Sequence, residues 1–255
     1  MKATRLLQVI GLIVIFSFLG ACAGSNLEVR KKESEALRNI GEAYMLQGNN
    51  TQALKELLEA EKVYADDHIL QNYLGLVYLN KNQYDLAIKH FRNAIRIKPG
   101  YAPALNNLGT TYLMTKDWDR AIDIFEAVTK DLLYATPHYP LANLGYAYYN
   151  KKEYQKAATY YRKALEIEPR YINALLGLGR TDIATLQIKD ALTVLETAAR
   201  FYPQSAEIYF ELATAYKLSG RYREAVWAYG RTVEILPEEH TLAVQAREEM
   251  TLLSK

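Results

Sequence analysis

The chain has 255 residues, half of them apolar, 24% charged and 21 of them tyrosine. That is the composition of a folded, water-compatible protein, and it excludes the disordered and collagen-like classes. With 31 basic against 29 acidic residues, it lacks the strong positive field that nucleic-acid binding or a polybasic membrane patch requires.

At the start of the chain, Lys2 and Arg5 precede an apolar run from Leu6 to Leu19, broken mainly by Gln8 and Ser17. Gly20 and Ala21 then lead to Cys22. This is the n-region, h-region and small-residue cleavage site of a secretory signal peptide, so residues 1–21 are expected to be removed. The run is shorter than the ~20 residues that span a bilayer, which makes a retained membrane helix the lesser reading. Leu19-Gly20-Ala21-Cys22 resembles the bacterial lipobox, and the resemblance implies a diacylglyceryl group on Cys22, the one cysteine of the chain. Each buried acyl CH₂ adds ~0.8 kcal/mol, so two or more acyl chains anchor a protein to a membrane without spanning it. In lipoproteins of enteric type an Asp after the cysteine favours the inner membrane. Ala23 therefore points to the outer membrane, with the protein facing the periplasm. Removing residues 1–21 takes two bases and no acid and leaves 29 of each. Residues 22–33, polar and charged, read as a lipid-anchored tether.

Beyond the tether the chain is periodic. Gly41, Gly75 and Gly109 are 34 residues apart, and so are Gly145 and Gly179. One frame surrounds them. It reads Leu74, Gly75, Tyr78, Ala87, Phe91, Ala94, Pro99, then Leu108, Gly109, Tyr112, Ala121, Phe125, then Leu144, Gly145, Tyr148, Ala157, Tyr161, Ala164, Pro169. This frame resembles the tetratricopeptide repeat, a helix pair in which small residues allow close crossing and proline ends the second helix. The resemblance implies an all-α fold, a right-handed α-solenoid of six helix pairs at 34–67, 68–101, 102–135, 138–171, 172–205 and 206–239. Leu242, Ala246, Met250 and Leu253 fall on one helical face, so residues 240–255 are expected to form a C-terminal cap helix.

Two departures stand out. Asp182 occupies the tyrosine position of the fifth repeat, and the frame offers no reason for it. Between Gly109 and Gly145 the spacing is 36, so the second helix of the third repeat should run longer or end in a bulged loop. Thr136 and Pro137 suit an N-cap and first helical position after it.

The first helices of such a stack line a concave groove. In the repeat frame positions 2, 5, 6, 9 and 12 to 13 should face it. Asn39, Asn72, Asn106, Asn107 and Asn143 fall there, and an amide both donates to and accepts from an extended backbone. The alternative is a set of surface amides with no partner. Leu76, Met114, Tyr139, Tyr146, Tyr149 and Leu176, with Leu79 and Phe210, are apolar residues at groove positions. Some of these could instead pack against a neighbouring repeat.

Catalytic patterns are missing from the sequence. His68, His90, His138 and His240 have no metal-ligand spacing, and there is no phosphate loop and no G-x-S-x-G. Gly177 and Gly179 read as helix-packing glycines. No cofactor, no small-molecule substrate and no nucleic acid are expected, and the chain reads as a protein binder rather than an enzyme.

The lipobox, the six repeats and the stretch Asp131-Leu132-Leu133-Tyr134 followed by Thr136-Pro137 and Asn143-Leu144-Gly145 resemble the type IV pilus biogenesis lipoproteins, pilotins of the pilus secretin. That resemblance implies an outer-membrane secretin as partner, whose localisation and multimerisation the protein assists. A scaffold lipoprotein that gathers peptidoglycan enzymes or polysaccharide-export machinery is the second reading. It needs the anchor and the repeats but not the insertion.

Overall fold

The computed structural model describes residues 26–130 and 136–254. The lipobox with Cys22 and most of the expected insertion lie outside the described residues. Among the described residues the fold is all-α, the architecture of a tetratricopeptide solenoid. The described part of the first helix, α1, is residues 26–46. It is followed by α2 (Asn50–Val63), α3 (His68–Asn80), α4 (Tyr84–Ile97), α5 (Ala102–Met114) and α6 (Trp118–Thr129). Then come α7 (His138–Asn150), α8 (Tyr154–Ile167), α9 (Ile172–Ala184), α10 (Ile188–Phe201), α11 (Ala206–Leu218), α12 (Tyr222–Ile235) and α13 (Thr241–Leu253).

The chain divides into two compact units, Met1–Thr111 and Tyr112–Lys255. In the first, Ala53, Leu57, Ala60, Leu70, Leu74 and Val77 form the core. In the second, each helix from α6 to α13 packs on the next, and the alternate helices α7, α9, α11 and α13 also touch in sequence. That second set of contacts lines up the first helices of successive pairs along one face.

The repeat frame works as its chemistry requires. An added Cβ on Gly75 would lie 2.5 Å from the Phe91 ring, and one on Gly145 would lie 2.7 Å from the Tyr161 ring. Helices α4, α8, α10 and α12 each stop two residues before proline, at Ile97, Ile167, Phe201 and Ile235. A residue before proline is disfavoured in the helical region. Between the two helices of each pair one residue is left-handed: Gly48, Asn82, Lys116, Lys152, Leu186 and Gly220, with φ from 57° to 79°. The next backbone N–H in each case reaches back five residues, as in Gln83 N to Tyr78 O at 2.9 Å and Gln187 N to Asp182 O at 2.8 Å. This is a Schellman closure, which satisfies a carbonyl that the helix end would leave open.

Three expectations change. Residues 26–33, read as tether, are already helical. Arg30 Nε donates to Val63 O at 2.9 Å, and the Ser34 hydroxyl, buried, donates to Ala60 O at 2.9 Å, so α1 extends to lie along the end of α2. Of the two alternatives for the end of the third repeat, the longer helix is not found, since α6 ends at Thr129 after 12 residues against 14 for α4 and α8; the bulged loop falls on residues 131–135, outside the described residues. At the start of α7 the Thr136 side chain makes no cap. Pro137 holds the capping position, and Tyr139 N donates to the backbone oxygen of Thr136 at 3.2 Å.

Asp182 acquires a reason. Glu126, Arg162 and Glu196 share one repeat position, and Tyr148, Asp182 and Tyr216 share another. The Tyr148 hydroxyl donates to Glu126 at 3.2 Å and that of Tyr216 to Glu196 at 2.9 Å. In the fifth repeat both partners are exchanged, and Asp182 faces Arg162 at 3.6 Å. An aspartate is shorter than a tyrosine. Its carboxylate stays buried with neither oxygen hydrogen-bonded, beside a cavity of about 310 Å³ that Arg162 and Asp190 also line.

Candidate protein-binding groove

Three helices of the second unit present equivalent residues to one face. Position 2 is Tyr139, Asn173 and Glu207; position 6 is Asn143, Gly177 and Glu211; position 9 brings Tyr146 and Arg180. On a helix these recur at three- and four-residue spacing and fall on one stripe. Between them is a cavity of about 330 Å³, floored by Tyr161 and walled by Tyr146, Tyr149, Leu113 and Leu176. Asn143, Asn173, Arg180 and Glu207 supply its polar rim.

The cavity has a local cause. At position 6 of the fifth repeat stands Gly177, where the fourth repeat has Asn143. Without a side chain there, the ring of Tyr161 on α8 comes within reach of the groove. The Tyr161 phenol is pushed up by burial. Tyr146 is 47% exposed and meets the Trp118 ring edge-on at 6.0 Å. Burial, then the charge of Glu211, pushes the Tyr149 phenol up.

Past Arg180 the groove continues into a second cavity of about 250 Å³, lined by Glu207, Phe210, Glu211, His240 and Leu242. Arg180 Nε donates to Glu211 Oε1 at 2.7 Å. Burial pulls the guanidinium down, and the carboxylates of Glu211 and Glu207 more than offset it. Glu207 is exposed and has no ion pair among the described residues.

The expected groove residues divide. Asn143, Tyr146, Tyr149 and Leu176 meet at the cavity, although Leu176 is buried and belongs also to the core. Tyr139 lies edge-on to Tyr171 at 5.3 Å, on the same helix but off the cavity lining. Met114 is exposed, and Phe210 lines the second cavity. In the first unit the amides are not a free ladder. Asn107 Nδ2 donates to Asn72 Oδ1 at 3.0 Å, and Asn72 is buried, so these two spend their polarity on joining successive repeats. Asn106 Oδ1 is buried without a partner. Asn39 is exposed and accepts from Arg38, while Leu76 is half-buried. Asn173, Gly177, Arg180, Glu207 and Glu211 are absent from the sequence-derived set. All five stand at the groove positions of the repeat frame, so the repeat register is the signal that finds them, Gly177 and the charged Arg180, Glu207 and Glu211 as well as the amide Asn173.

Models described as tetratricopeptide repeat match residues 66–130, 139–171 and 175–239, together more than half of the chain. The chain is a tetratricopeptide-repeat protein. Among solved structures, its repeats superpose on PilW, described as a widely conserved type IV pilus biogenesis factor, with a TM-score of 0.77 at 20% identity. That match covers 84% of this chain and 98% of PilW. Pseudomonas aeruginosa pilF gives a TM-score of 0.74 at 20% identity over 86% of this chain and 99% of pilF. At such identity the likeness is one of fold. Curated relatives with the same repeats include a BBSome complex member from Bos taurus, 26% identical over 69% of this chain. An anaphase-promoting complex subunit from Arabidopsis thaliana is 25% identical over 58%. The chain spans 34% of the first relative and 28% of the second. Tetratricopeptide repeats bind protein partners, and the groove described above carries two adjoining cavities that share Arg180 and Glu207.

Proposed function

We propose that this tetratricopeptide-repeat protein is an outer-membrane lipoprotein of type IV pilus biogenesis, a pilotin that assists a secretin. On this reading Cys22 carries the lipid, the protein faces the periplasm, and the groove around Asn143, Tyr146 and Tyr149 holds a segment of the partner. The protein binds and does not catalyse. The observation that carries the reading is a combination: a lipobox sequence precedes a stack of repeats that matches PilW and pilF over nearly their whole lengths. The relatives in large eukaryotic assemblies share parts of the repeat array only, and they support protein binding without specifying the partner.

The test uses cells that lack the gene, complemented with the parent or with Cys22→Ser. Membrane fractions are blotted for detergent-resistant secretin multimers. Loss of multimers in the deletion, and mislocalised multimers with Cys22→Ser, are expected. Normal multimers in the deletion strain overturn the pilotin reading and leave the envelope-scaffold role in its place.

A further inference from the structure

We infer that the groove of the second unit selects a segment of its protein partner in which a bulky apolar side chain is flanked, on the α11 side, by a basic residue. This rests on the reading of that groove as the binding surface. It adds the chemistry of what is bound.

Two features of the groove call for two different residues. The aromatic cavity is closed at its floor by Tyr161 and at its walls by Tyr146, Tyr149 and Leu176, so its interior offers ring faces and methyl groups. An apolar side chain fits there, and Asn143 and Asn173 at the rim can meet the backbone on either side of it. The groove's continuation is charged. Arg180 is shared by both cavities, but its charge is already matched by Glu211 at 2.7 Å. Glu207 also borders both cavities, on the first turn of α11, exposed and without an ion pair among the described residues. The local sum of Arg180, Glu207 and Glu211 is therefore one negative charge. An acidic residue entering here would meet that charge, whereas a lysine or arginine would neutralise it. Charges at the rim of an interface choose between partners more than they add affinity.

The probes are two fluorescein-labelled peptides of the same Gly/Ser background, each with one phenylalanine, flanked on both sides by lysine in one and by glutamate in the other. A third has alanine in place of phenylalanine. Binding to the purified full chain is read by fluorescence anisotropy. The lysine peptide should bind about fivefold more tightly than the glutamate peptide at low salt, since an exposed ion pair is worth no more than that. Raising the salt should shrink the ratio. In Glu207→Lys the order of the two peptides should reverse, and the alanine peptide should be weakest throughout. Equal binding of the lysine and glutamate peptides overturns the basic-residue inference. The groove reading then still stands if Tyr146→Ala with Tyr149→Ala weakens both. If that double variant binds both peptides as the parent does, the groove itself is wrong. Failure of all three peptides to bind at about 1 mM overturns the inference as well.

Discussion

A side chain at position 177 has no room, because an added Cβ would lie 2.3 Å from Cζ of Tyr161. Tyr161 is buried between two such glycines, its ring also close enough to Gly145 that a Cβ there would lie 2.7 Å away. One ring thus joins the fourth repeat to the fifth and forms the floor of the cavity. Gly177→Ala must push the ring aside, and a buried ring has little freedom to give. Overpacking of this kind costs about 1–3 kcal/mol. The urea midpoint of the variant should fall and partner binding should weaken with it. A variant that melts like the parent would show that Tyr161 moves freely, and the close contact would lose its structural meaning.

Tyr146 and Tyr149 should separate binding from folding. Tyr146 is nearly half exposed and Tyr149 half-buried, and neither closes a core. Tyr146→Ala with Tyr149→Ala should leave the helical circular dichroism signal in place and lower affinity for the partner about tenfold or more, the effect expected of aromatic anchors. Full affinity in a folded double variant would place the binding surface elsewhere on the repeats.

Asp182 makes stability depend on pH in a direction opposite to that of most carboxylates. Burial raises its carboxyl to about 6, an effect that Arg162 opposes and Asp190 reinforces. The unfolded chain holds this group near the ordinary carboxyl value of 3.8. Between those values the folded state binds the proton more tightly, so its contribution is present at acid pH and is lost as pH rises through about 6. A gap of this size corresponds to about 3 kcal/mol. Asp182→Asn should therefore match the parent near pH 4 and exceed its stability at pH 7, measured by urea titration at each pH. A parent-to-variant difference that does not change with pH would remove Asp182 as its source.

The exchange of partners at this position can be undone. Asp182→Tyr combined with Arg162→Glu recreates the hydroxyl-to-carboxylate pair of Tyr148 with Glu126 and fills the cavity beside α9. The double variant should be more stable than the sum of its single changes, with a coupling of about 0.5–3 kcal/mol in a double-mutant cycle. Simple additivity would mean that the two positions do not act as a pair.

Among the described residues Leu186 is the one large apolar residue in the left-handed turn position, with φ of 59° and 74% of its surface exposed. The left-handed conformation costs an ordinary residue about 1–2 kcal/mol, and asparagine tolerates it. The second repeat already uses Asn82 at this place. Leu186→Asn should raise the urea midpoint by an amount equivalent to about 1 kcal/mol. No gain would indicate that Leu186 is held by contacts that offset the strain.

Much of the fold follows from local chemistry that any reader of the sequence can apply. Spaced glycines and alanines allow helices to cross closely, large residues sixteen positions on fill the crossings, and in four of the pairs proline two residues past the second helix stops it. These rules involve residues close in the chain, so the periodic frame carries them, and it also names the positions that face the groove. What stands at those positions is another matter. Whether Asn72 and Asn107 are free or bound to one another depends on how two repeats stack, and so does the close approach of the Tyr161 ring to Gly177. Residues 26–33 are helical where Arg30 and Ser34 find carbonyls some thirty residues away, at Val63 and Ala60, a pairing that no local pattern specifies. The repeat frame offers no reason for Asp182, and the reason lies in Arg162, which packing brings opposite it. A repeat frame specifies which backbone positions meet, because helix geometry is regular. Which side chains satisfy one another, and which are left facing an open cavity, is decided only when the neighbouring helices have packed.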